Sequence, residues 1–347
     1  MNHHILSKRF DINFIILPGI LSVFFVIIGN NFDFFSHEMN PIWWLALVAF
    51  LDVGHVWSTL FRTYFHKNAS QEFKAELILI PIIAWVLGVI SYHLGEHIFW
   101  RLMAYLALFH FIKQQIGILK LYLRGREGFW SRDFDVFTLY VLMLVPVIHW
   151  HLNSKSFNWF RPGDFFSIEG GPLEPFFWVI YILTVIMFAT KEIFIKEKVN
   201  FLKIGHMIST ALVWAVGIVA FDNDWSFTLT NIVHHGVPYL ALIWVSTCRG
   251  NYESSFSLMT KILKKIKRLR IVFFILFLFS LGYAEEFLWD FFVWHEHGSL
   301  FIESGHWVLS QLELGLIVPI LAVPQITHYV LDGQIWKRER KVDGFYF

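Results

Sequence analysis

Apolar runs long enough to cross a bilayer recur from one end of the chain to the other, separated by short polar stretches. They lie at Asp11–Ile28, Pro41–Phe61, Glu76–Tyr92, Ile98–Leu121, Asp135–His151, Pro172–Ala189, Phe201–Phe221, Phe227–Val245, Ile271–Phe291 and Trp307–Leu331. A run of this length satisfies its own backbone in hydrocarbon only as a helix. The pattern therefore predicts an all-α polytopic membrane protein with about ten transmembrane helices. No long polar linker interrupts the series, so residues 1–347 read as a single transmembrane helical domain.

The polar positions inside these runs carry the functional signal. His234 and His235 stand side by side near the middle of Phe227–Val245. Polar side chains at such depth are costly and usually face the interior of a bundle. Adjacent positions on a helix point about 100° apart, so both rings serve one wide site, or two metals. In the second run Asp52, His55, Thr59, Arg62 and His66 follow at intervals of three and four, one helical stripe if the helix continues to His66. An Asp three residues before a His is a co-ligand or a partner that fixes the imidazole tautomer. The fourth run carries His110 and Gln114 with Gln115 beside them, and the last carries Gln325, His328 and Asp332. Pro319 and Pro324 are expected to kink that last helix. His206, near the start of the seventh run, joins the set. A packing role competes at each site: glue between helices for the glutamines, helix termination for Asp332, and an ion pair of Asp52 with Arg62.

Composition narrows the chemistry. Hydrophobic residues make up 56% of the chain and charged residues 16%, against about 25% in a soluble domain. There are 17 histidines and one cysteine, Cys248, which excludes a disulfide framework and a thiolate cluster. An imidazole-rich set with a few carboxylates suits iron, zinc or copper rather than magnesium or calcium.

Charge sets the expected topology. All but Arg101, Lys155 and Arg161 of the 28 basic residues fall on alternate connections or at the two ends. By the positive-inside rule both termini are cytoplasmic, in a multi-pass integral membrane protein. The first run has no small-residue cleavage site after it and reads as an anchor. The basic amphipathic stretch Lys261–Arg270 reads as a contact with anionic lipid at the cytoplasmic face. On this map His55, His66, His110, His234, His235, His328 and Asp332 lie toward one side. His93, His97, His149, His151, His295, His297 and His306 lie toward the other, with Glu285 and Glu286 between. Singly, the outer histidines read as interfacial. As a group they offer a metal-entry or heme-edge site.

Asn231-x2-His234-His235 resembles the [His/Gln]-x2-His-His box of membrane-bound non-heme di-iron enzymes, the desaturases and lipid or alkane hydroxylases. His93-x3-His97 has the spacing of another of their boxes, on the opposite side of the expected topology. The bacterial membrane carotenoid-cleaving dioxygenases are a second class with polytopic, histidine-bearing chains. The resemblance implies a membrane iron enzyme that uses O2 to hydroxylate, desaturate or cleave a lipid or other apolar substrate, with one or two iron ions. His55, His66, His110, His234, His235, His328 and Asp332 are then the expected metal ligands. Asp52, Arg62, Gln114 and Asn231 are the expected catalytic and supporting side chains. An electron-donor protein on the cytoplasmic side is an expected partner, and nucleic acid is not. The rivals are a transporter that relays protons or metal ions through the same residues, and a bis-histidine heme protein.

Overall fold

Helix formation along the chain follows the apolar runs. The computed structural model describes residues 4–32, 34–35, 39–66, 74–153, 159–168, 171–194, 199–248, 269–301 and 307–335. Among these there is no strand. The basic stretch 261–268 and His306 lie outside the described residues.

Among the described residues, nine helices are long and apolar enough to cross a membrane. They are α1 (Lys8–Asn31), α2 (Pro41–Phe61), α3 (Lys74–Leu94), α4 (Glu96–Tyr122), α5 (Phe129–Leu152), α6 (Glu174–Phe194), α7 (Phe201–Ala220), α9 (Arg270–Trp294) and α10 (Gln311–Gln334). Between α7 and α9, α8 is helical over 224–248. It falls outside the apolar set because Thr228, Thr230, Asn231, His234 and His235 dilute its hydropathy. Among the described residues, nine of the ten apolar runs are thus candidate spans, and the tenth is a helix more polar than a lipid-facing span.

The ends are set by local chemistry. Ser7, Asn40, Asn200 and Asn223 accept first-turn backbone N–H groups of α1, α2, α7 and α8. Ser310 and Glu313 form a reciprocal capping box at α10. Between Pro319 and Pro324, where a kink is expected, the α-helix is interrupted at Ala322, between Gln311–Leu321 and Val323–Ile335. Several helices contain π-helical stretches, including Leu45–Val53 in α2 and Thr228–Ile232 in α8. Each lies just before a histidine of interest. Wider turns of this kind recur at functional sites.

The chain divides into two units: Met1–Met39 with Ala107–Pro238, and Asn40–Leu106 with Tyr239–Tyr346. Two of the boundaries fall inside the continuous helices α4 and α8. In the first unit α7 packs on α1 and α5, and α5 packs on α6. Ile15, Val26, Leu139, Met143 and Val213 are fully buried there. In the second unit α9 packs on α2, and α10 packs on α2 and α3. Phe61, Tyr239, Ile243, Phe274 and Leu278 form a core cluster. The α2–α9 crossing is close enough that a methyl group on Gly282 would collide with the Ala49 carbonyl.

One feature of the first unit escapes a reading of charge as topology. Asp135 of α5 is fully buried and binds Lys191 of α6 and Lys203 of α7, the latter at 2.8 Å. Both ammonium groups also reach Glu192, at 3.1 and 2.6 Å, so two cations and two carboxylates neutralise one another. The network ties three helices together at one point.

Candidate metal centre

In the second unit, His55 and His328 are each 1% exposed. The wide turn Leu45–Val53 leads into the short α-helical turn Gly54–Ser58 that carries His55. Its Nδ1 lies 3.2 Å from the Leu51 carbonyl. A carbonyl only accepts, so the ring carries its proton on Nδ1 and Nε2 is the basic nitrogen. Asp52 lies 3.7 Å from the same Nδ1. His328 of α10 places Nδ1 2.6 Å from Thr59 Oγ1, which lies 3.0 Å from the Tyr239 hydroxyl. The His55 and His328 ring centroids are 5.0 Å apart, and Tyr239 stands edge-on to both at 5.7 and 5.2 Å. Beyond Tyr239, Asp332 shares a hydrogen bond with its hydroxyl and is within electrostatic reach of Arg62. Thr59, Tyr239, Asp332 and Arg62 thus form a polar line behind the His328 ring. Second-layer partners of this kind fix imidazole orientation and tune metal affinity.

In the first unit, His110 of α4 and His235 of α8 are likewise buried, with ring centroids 4.9 Å apart. Phe111 stacks flat on His235 at 4.0 Å. The backbone of α8 here is held by side chains of α4. Gln114 Nε2 donates to the His235 carbonyl at 2.8 Å, and Gln115 Nε2 to the His234 carbonyl at 3.3 Å. The second bond has a simple origin. Pro238 stands four residues after His234 and has no N–H to give to that carbonyl. The Gln115 amide supplies the missing donor.

The four side chains His55, His110, His235 and His328 form one buried group. Their ligating atoms all lie within 4.8 Å of one another. This donor set can hold a metal ion. It is all imidazole, without thiolate or carboxylate, which fits iron, copper, zinc or nickel and disfavours magnesium and calcium.

The other residues singled out from sequence fall elsewhere. α2 ends at Phe61, so the stripe stops short of His66, which is buried but not among the four. His234 points away from His235, toward Thr210 and His206. Asn231 is buried, donates to Thr230 and lies against Gly217. Asp52, Arg62, Gln114 and Asp332 surround the four rings or their backbone in the ways already described. The outer histidines take separate local partners: His93 the Val89 carbonyl, His149 Glu174, His151 the Val147 carbonyl, and His297 the ring of Trp44. His93 and His97 do not share a helix face, because α3 ends at Leu94 and α4 begins at Glu96. Among the described residues the outer set forms no metal-binding group. Tyr239 and Phe111 were not visible as site residues, since an aromatic in a span ordinarily reads as packing.

Thr59 gives a direct test of the polar line. Thr59→Val keeps the shape and removes the hydroxyl from His328 Nδ1. Metal affinity should fall about 10- to 100-fold, read by chelator competition, with helix content unchanged. Wild-type affinity in the variant would separate Thr59 from the centre.

Comparison with protein-family models, with curated proteins and with solved structures finds no match for this chain.

Proposed function

We propose that this is a membrane metalloenzyme in which His55, His110, His235 and His328 hold one iron ion that uses O2 to oxidise a lipid or other apolar substrate. The observation that carries this reading is the buried four-histidine group. When bound, the metal supplies the redox chemistry with O2. The chain supplies the rest. Leu51 and Thr59 hold two rings by their Nδ1 atoms. Gln114 and Gln115 hold the α8 backbone. Phe111 and Tyr239 keep the surroundings largely apolar and exclude water. The Tyr239–Asp332–Arg62 line offers a proton-conducting flank on the side taken as cytoplasmic, where an electron donor would dock.

The transporter reading keeps one specific observation in its favour. Asp52, Glu285, Glu286 and Asp290 are acidic groups in α2 and α9, the last three buried, and Asp290 reaches His297 at 3.8 Å. Such a line suits proton movement across the membrane. Metal analysis, an optical spectrum and O2 uptake by the purified protein separate the readings. Stoichiometric iron with substrate-dependent O2 consumption supports the enzyme. Metal flux in proteoliposomes without O2 consumption overturns it, and a Soret band would establish heme.

A further inference from the structure

The first unit holds a second pair of buried histidines that the four-histidine group does not use. His206 of α7 and His234 of α8 are 0% and 1% exposed, with ring centroids 6.1 Å apart. Their hydrogen bonds fix their tautomers. His206 Nε2 lies 3.1 Å from the Gln115 backbone carbonyl, which only accepts, so Nε2 carries the proton. Thr210 commits its one hydroxyl proton to the His206 carbonyl at 2.9 Å. Its oxygen therefore accepts from His234 Nε2, 3.1 Å away, and that nitrogen also carries its ring's proton. Both rings are left with a lone pair on Nδ1.

Neither Nδ1 has a hydrogen-bond partner among the described residues, and neither does the side-chain oxygen of Gln115. That oxygen cannot be exchanged for the amide nitrogen by flipping the group, because the nitrogen faces the His234 carbonyl. Three buried acceptors on α4, α7 and α8 thus have no hydrogen-bond donor among the described residues. Each such atom costs about 1–3 kcal/mol when left unsatisfied. Beside one of them α1 packs closely: a methyl group on Gly19 would sit 2.6 Å from His234 Nδ1 and would also collide with Ser209 Oγ, so glycine leaves that nitrogen uncovered by a side chain of α1.

An excess of neutral lone pairs is satisfied by a cation. The geometry points to a second metal seat built from His206 Nδ1 and His234 Nδ1, with the Gln115 side-chain oxygen as a further donor. Two imidazoles and an amide oxygen suit a borderline ion of the zinc, iron or copper class. The seat shares α8 with the four-histidine group but none of its side chains, so the adjacent His234 and His235 serve two different ions.

The test uses full-length protein in detergent, stripped with chelator, equilibrated with Zn(II), desalted and assayed for zinc per chain. Wild type should retain two ions, and a His206→Ala/His234→Ala variant one. A His55→Ala/His328→Ala variant should also retain one. If the first double variant fails to fold, His206→Gln alone should weaken the second ion at least 10-fold while leaving the other unchanged. Two ions in wild type with no loss in either His206 variant would overturn the proposal, placing the second ion elsewhere. A single ion lost with His55 and His328 but insensitive to His206 and His234 would also overturn it, leaving the acceptors to ordinary buried water. A single ion lost only with His206 and His234 would uphold this seat and defeat the four-histidine centre instead.

Discussion

His235→Ala should lose the metal of the four-histidine group and all activity that depends on it, while the protein still inserts and keeps its helices. Four-ligand sites bind zinc with about 10–16 kcal/mol, so one ligand of four is worth roughly 3 kcal/mol. That corresponds to a fall of about 100-fold or more in affinity. The loss should exceed this share, because the ring is also held flat by Phe111 at 4.0 Å and its removal leaves a gap beside His110. His234→Ala is the informative neighbour. Its ring faces Thr210 and His206, so the metal of the four-histidine group should remain. Metal content after a fixed chelator challenge, with circular dichroism as the folding control, reads both results. Loss of the four-histidine metal from His234→Ala, seen as no further loss when His55→Ala and His328→Ala are added, would contradict the separate directions of the two rings.

Lys203→Met should destabilise the protein by about 3–5 kcal/mol, the cost of stranding a buried partner charge. Lys203 is fully buried and bridges Asp135 and Glu192 across α5, α6 and α7. Its loss leaves two carboxylates facing one remaining ammonium, Lys191. Pairing it with Asp135→Asn should recover part of the loss, since one anion is then removed with one cation. The midpoint of thermal unfolding in detergent measures both. An unchanged midpoint in Lys203→Met would mean that water reaches the network and screens it.

The helices were legible because bilayer length and apolarity leave a chain no other economical backbone. The His55, His110 and His328 positions were legible for the same reason: a histidine deep in an apolar run needs a partner. Three things were not legible. Spacing says that His234 and His235 diverge, but not which of the two meets His110, because that depends on how α8 is rotated against its neighbours. The Asp52–His66 stripe assumed a helix that in fact ends at Phe61. Lys191 and Lys203, finally, counted as topology signals at span ends. Nothing in their neighbours along the chain announces that both ammonium groups turn inward to Asp135.

The wide turn at Thr228–Ile232 has a consequence for how this chain tolerates change. A π turn contains one residue more than an α turn spanning the same rise. Deleting a single residue there would remove the bulge and leave an unbroken helix of ordinary pitch, with His235 still close to its place beside His110. The same deletion from an ordinary α-helical stretch has no spare residue to give up, and it would swing everything on one side by about 100°. A change of length is thus absorbed at the wide turn, whereas one made between that turn and His235 acts as a change of direction. A variant with the right residues in the wrong count there would lose its ligand as surely as one with the histidine replaced.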